Sequence, residues 1–179
     1  MKRVTLLAVC LILAVSVSAQ DDLTGKMFAG GYLGYGFGFG DAFEDIETGL
    51  GTIERGAGFG FGGTFHYGLN EKLMIGGELG FQNYKAGDES ELETNILFNG
   101  LYAFNYVEDE TGFFGTFGGG FYGGSDTNFG INGGILYSKL ISETISLYGM
   151  PRLHIIFADG TPMILQLAVG VLIPIGGSY

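Results

Sequence analysis

Residues 163–179, MILQLAVGVLIPIGGSY, alternate with a period of two along their whole length. Met163, Leu165, Leu167, Val169, Val171, Ile173, Ile175 and Tyr179 share one parity, broken only by Gly177. The other parity holds Ile164, Gln166, Ala168, Gly170, Leu172, Pro174, Gly176 and Ser178, a smaller and more polar set. Successive strand side chains point to opposite faces, so this is a strand with one wholly apolar face. A globular strand is usually about 5–6 residues long. A strand that crosses a bilayer needs about 9–11, which this segment exceeds.

The same division recurs upstream. In 27–40, Leu33, Tyr35, Phe37 and Phe39 face away from an unbroken series of even-numbered glycines running from Gly34 to Gly40. In 57–69, Phe59, Phe61, Phe65, Tyr67 and Leu69 oppose Gly58, Gly60, Gly62, Thr64, His66 and Gly68. In 73–84, Leu73, Ile75, Leu79 and Phe81 oppose Gly76, Glu78, Gly80, Gln82 and Tyr84. In 92–107, Ile96, Phe98, Tyr102, Phe104 and Tyr106 oppose Asn95, Asn99 and Asn105. The strand at 113–123 is less clean, with Phe113, Phe117 and Phe121 against Phe114 and Tyr122. In 128–138, Phe129, Ile131, Ile135 and Tyr137 oppose Asn128, Gly130, Asn132 and Ser138. In 144–157, Ile145, Leu147, Leu153, Ile155 and Phe157 oppose Ser146, Tyr148, Arg152 and His154.

Turn-forming or acidic stretches at 41–54, 70–72, 85–91, 108–112, 124–127, 139–143 and 158–162 connect these segments. No helical period occurs after residue 20. The pattern predicts an all-β fold: an eight-stranded antiparallel up-and-down transmembrane β-barrel, a meander. Residues 163–179 then close the ring against 27–40, with Val169, Val171, Ile173, Ile175 and Tyr179 as the outward set of the closing strand.

The direction of the two faces follows from volume. An eight-stranded barrel encloses a narrow interior. It cannot hold the Phe, Tyr, Leu and Ile side chains of the apolar face, whereas the Gly-rich face carrying Asn, Gln and Thr fits. An aromatic exterior is an aggregation hazard in water and the required surface in lipid. Ring closure also pairs the strand edges, which lipid demands. A soluble secreted barrel of the lipocalin or avidin kind shares the strand count; the Gly-rich inner face argues against it.

The first 19 residues change the picture. Lys2 and Arg3 precede an apolar run, Val4 to Val15, and a small-residue site at Val17-Ser18-Ala19. This reads as a cleaved signal peptide, leaving residues 20–179 as one barrel domain. The one cysteine, Cys10, falls inside the leader, and Val9 before it is too bulky for a lipoprotein site. Disulfides and thiolate chemistry are therefore not expected in the mature chain. Removing Lys2 and Arg3 takes the basic count from 8 to 6 against 19 acids, so the net charge moves from −11 to −13. Nucleic acid is excluded as a partner on that balance. With 35 glycines but no triplet period the chain is not collagen-like, and with 15% aromatics it is not a disordered polar chain.

The glycine–aromatic stretch GGYLGYGFGFG, the turn-and-strand FHYGLNEKLMIGGELGF and the terminal alternation ending in Tyr179 resemble small outer-membrane β-barrel proteins of the OmpA-barrel, OmpX and opacity-protein type. The resemblance runs from about Met27 to Tyr179. It implies residence in the cell outer membrane, lipid as the surrounding partner, and recognition of the terminal aromatic strand by the outer-membrane assembly machinery during insertion. It implies a monomer. With both ends in the periplasm, loops 41–54, 85–91, 124–127 and 158–162 face outside.

Candidate chemistry is confined to the inner face. Glu78 and Arg152 lie on strands across the lumen, where two opposite charges should pair. His66, His154, Gln82 and Gln166 share that face, with Asn95, Asn99 and Asn132. The expected result is a packed polar lumen holding the barrel rigid, with both histidines as satisfied interior groups. The role is then structural within the envelope. Surface adhesion, or a narrow porin-like channel for small solutes, are the alternatives. A nucleophile needs a base within reach and a third group to orient it. Neither histidine has a serine two positions on, and Ser146 is far from His154 along its strand, so no enzyme is expected. No cofactor or metal is expected either. GYGFGFG precedes no helix and is not a dinucleotide loop, and the acids of 41–54 lack the spacing of a Ca²⁺ loop.

Overall fold

The computed structural model describes residues 22–39, 46–48, 51–53, 57–86, 89–107, 110–123, 126–142, 144–158 and 161–176, with backbone alone at 46–48, 51–53, 57, 84–86 and 89–91. The leader and Tyr179 lie outside the described residues. Ten strands occur in order: β1 Met27–Phe39, β2 Ile46–Thr48, β3 Gly51–Ile53, β4 Ala57–Gly68, β5 Leu73–Ala86, β6 Glu89–Val107, β7 Thr111–Gly123, β8 Thr127–Ser142, β9 Ile145–Ile156 and β10 Met163–Gly176. Eight of them close an antiparallel barrel, and β2 and β3 form a separate hairpin. Every barrel strand pairs with its sequence neighbour in the ring, and β10 returns to pair with β1 over Met27↔Gly176 to Phe39↔Met163. The end that holds the start of β1 and the end of β10 is the base; the opposite end is the top.

Side-chain parity decides burial. Leu33, Phe59, Phe98 and Val169 are 67%, 76%, 67% and 62% exposed on the outer face, while Gln82, Arg152 and Gln166 on the inner face are each 2% exposed. Aromatic rings gather near the top, where Tyr35 meets Phe59 at 4.9 Å, Phe61 stacks on Phe81 at 5.3 Å and Phe121 meets Phe129 at 6.0 Å. A second group lies near the base, where Phe104 contacts Tyr102 at 5.6 Å and Phe113 at 5.5 Å. Phe98 and Phe117 add exposed rings at mid-strand, so the whole outer face is apolar and aromatic, the surface that a membrane barrel turns to lipid.

Several expectations change. A bulge between Ala103 and Asn105 inserts one extra residue into β6. It reverses the parity beyond it. Tyr106 therefore turns inward and lies 6.1 Å from the buried Phe114 ring, and Asn105 pairs with the outer-face Phe113. The stretch 41–54 is not all loop, because it carries the β2–β3 hairpin. Residues 139–142 continue β8 rather than turning, and β5 and β6 stay paired up to Ala86↔Glu89. The β8–β9 ladder skips Ile135 and Leu136, opposite Pro151, which has no N–H to give.

Candidate functional site

The lumen is layered. Toward the base, Leu23, Leu101, Phe114, Leu136, Tyr148 and Leu172 belong to one buried apolar cluster. Toward the top, Leu97, Tyr122, Ile156 and Ile164 form a second. Glycine makes the room. A Cβ at Gly62 would lie 2.7 Å from the Tyr32 ring, and one at Gly170 would lie 2.6 Å from the Tyr148 ring.

Between the apolar layers sits a polar belt built around one ion pair. Arg152 on β9 reaches across to Glu78 on β5, with Nη1 donating to Oε2 and Nη2 to Oε1, both at 2.6 Å. The two side chains are 1% and 3% exposed. A bidentate geometry of this kind is the strong form of the interaction. Each carboxylate oxygen takes a second donor: Oε1 from the Tyr32 hydroxyl at 2.7 Å, Oε2 from Asn99 Nδ2 at 3.1 Å. Four donors satisfy the buried carboxylate, which an isolated buried charge could not survive without.

The guanidinium is used further. Nη2 also donates to Gln166 Oε1 at 2.9 Å, and Nε donates to His154 Nε2 at 3.1 Å. Because arginine only donates, His154 Nε2 is the acceptor. Nδ1 therefore carries the ring proton and donates to the Tyr122 oxygen at 2.7 Å. Gln166 Nε2 donates to Gln82 Oε1 at 3.3 Å, and Gln82 Nε2 to the Gly58 carbonyl at 2.5 Å. Asn132 joins through Asn99, donating to its Oδ1 at 3.1 Å. The belt is one connected network that ties β1, β4, β5, β6 and β7 to β8, β9 and β10.

His66 stands apart. Its Nε2 lies 2.7 Å from Thr64 Oγ1, but its Nδ1 has no hydrogen-bond partner, so it is not the satisfied group expected of it. Thr116 Oγ1 is buried and without a partner as well. Both line a cavity of about 10 Å³, about the room that one water needs. Val169, Val171, Ile173 and Ile175 lie exposed on the outer face of β10.

Among solved structures, the chain is similar to Neisserial surface protein A (NspA), at 12% identity and a TM-score of 0.63, covering 83% of this chain and 97% of that one. It is similar to Ail, the attachment invasion locus protein of Yersinia pestis, at 8% identity and a TM-score of 0.56, covering 85% and 99%. The N-terminal β-barrel domain of Pseudomonas aeruginosa OprF matches at 11% identity and a TM-score of 0.51, covering 83% and 98%. The fold is that of the small eight-stranded outer-membrane β-barrels. No family model and no curated protein matches the chain.

Sequence reasoning missed Tyr32 as a member of the belt. Its even position among Gly30, Gly34 and Gly36 marks it as inward, and parity alone could have found it. The partnering of Tyr122 with His154 carried no sequence signal, since the two lie 32 positions apart.

Proposed function

We propose that this chain is an integral protein of the outer membrane whose lumen is closed, and that its role is structural within the envelope. The apolar and aromatic exterior supports the membrane placement, as does the fold it shares with NspA and Ail. With both ends of the barrel in the periplasm, the base lies there and the β2–β3 hairpin lies outside. The leader directs export, the terminal aromatic strand engages the assembly machinery during insertion, lipid is the standing partner, and the barrel is a monomer. The observation that carries the closed lumen is the bidentate Glu78–Arg152 pair spanning it between two apolar layers. A solute would have to break that pair and part both layers. The purified protein in planar bilayers is expected to give no conductance steps. Regular steps from the unmodified protein would overturn the closed lumen and favour the channel reading.

One observation favours a second reading, surface recognition. β5 has its last β4 partner at Gln82, and β6 has its last β7 partner at Thr94. Beyond them β5 and β6 pair only with each other among the described residues, from Asn83↔Leu92 to Ala86↔Glu89. An edge of that kind can accept a strand from a partner. Loss of cell binding when 84–91 is shortened would support recognition; binding that never occurs would exclude it.

A further inference from the structure

A piece of chain outside the barrel strands packs at the base of the lumen. It is residues 22–26, which precede β1 and are held against the end of β4. Leu23 is fully buried there, in the same apolar cluster as Leu101, Tyr148, Met150 and Leu172. The hold is local. Gly25 N donates to the Gly68 carbonyl at 2.9 Å, Gly68 N donates to the Lys26 carbonyl at 2.8 Å, and Lys26 N returns to the Leu23 carbonyl at 3.0 Å. Gly25 takes φ +76°, a conformation open to glycine. Gly68, at the end of β4, is shaped to receive the turn, because a Cβ there would overlap the Leu23 carbonyl. Met150 and Leu172, packed in the Leu23 cluster, also line the cavity that His66 lines.

We propose that residues 22–26 form a stopper, separable from the barrel, that keeps water at the base out of this cavity. Withdrawing Leu23 opens the cavity and the underside of the Glu78–Arg152 belt to solvent. The upper layer of Leu97, Tyr122, Ile156 and Ile164 stays shut, so the barrel becomes a one-ended pocket rather than a pore. Its wall sets Leu101, Leu136, Met150 and Leu172 beside Thr64, His66 and Thr116, and its roof is the polar belt. This goes beyond the structural role proposed above and stands if the barrel proves to have another one.

The test uses a single thiol. Met150→Cys in a Cys10→Ser background puts the chain's one cysteine against the cavity, and the folded protein is treated with a charged, membrane-impermeant maleimide. Labelling is expected to be slow. Adding Leu23→Asp, whose charge cannot stay in an apolar seat, should speed it by about tenfold or more, as expected when a protected site opens locally. Gel mobility of the unheated protein should still report a folded barrel. Equal labelling with and without Leu23→Asp in folded protein would overturn the proposal. If Leu23→Asp does not fold, amide exchange in the unmodified chain decides. Gly25 and Gly68 should exchange together, and faster than Tyr32 and Phe65 in the ladder. Exchange of all four at one rate would make the turn part of the barrel and overturn the stopper.

Discussion

Glu78 is the residue on which the lumen turns. It meets Arg152, Tyr32 and Asn99 at once. Glu78→Ala leaves the guanidinium buried and unpaired, a change that costs about 3–5 kcal/mol. Urea unfolding of the protein refolded in detergent measures it, and unchanged stability would mean that water already reaches Arg152. Tyr32→Phe removes one charge-assisted bond while keeping the ring, so the loss should be smaller, about 1.5–3 kcal/mol. The ion pair was legible in the sequence because both residues sit on inward parities of strands across the ring. Its four-donor completion was not. Asn99 lies diagonal to Glu78 in the β5–β6 ladder and Tyr32 reaches it over the glycines of β4, contacts set by strand register, which no local pattern encodes. Tyr106 shows the same limit. Alternation through Phe104 predicts an outward Tyr106, and a single inserted residue in β6 reverses it.

At the scale of elements, the outer face of β10 is the clearest case. Val169 lies in the middle of the strand and 62% exposed. Val169→Arg should lower folding stability in bilayers by about 2–4 kcal/mol, the depth-dependent cost of a cation on the lipid face. The same substitution in a soluble barrel would cost little, so the measurement separates the two. β10 was readable from its period alone, and so were β1, β4 and β5, because large apolar residues alternate with glycine or polar ones over most of their length, despite the Gly-Gly pairs at 30–31, 62–63 and 76–77. The β2–β3 hairpin was not, since its two strands are three residues each and carry no run long enough to show a period. The turn at 22–26 was hidden for a different reason: its buried Leu23 is one apolar residue between polar neighbours. Asp22 steadies that turn. Hydrogen bonds from the Thr24 side chain and backbone hold its carboxyl below the usual aspartate range. A lowered pKa adds stability above the unfolded value, and that stability is lost as pH falls through the folded value. Acidification below about pH 3.9 should therefore lower the protection of the Gly25 amide, measured relative to its intrinsic exchange rate at each pH, and leave the protection of the β1 ladder unchanged.

The described residues form a closed ring of strands whose exterior suits lipid and whose interior holds a polar belt between two apolar layers. Its fold was legible because one division of side chains repeats eight times, and repetition survives local errors such as the β6 bulge. The layering of the lumen was less so. The inner face reads as Gly-rich and polar in sequence, yet Leu97, Leu101, Leu136 and Leu172 occupy it too, and only the register gathers them into two seals. The central claim is that this chain folds as a closed barrel in a membrane. The most direct test is the gel mobility of the membrane-extracted protein before and after boiling in detergent. A closed barrel resists unfolding in the cold, so the unheated sample should migrate as a compact band that shifts to the position of the full-length chain on boiling. A protein found in the soluble fraction, with one mobility at both temperatures, would contradict the account.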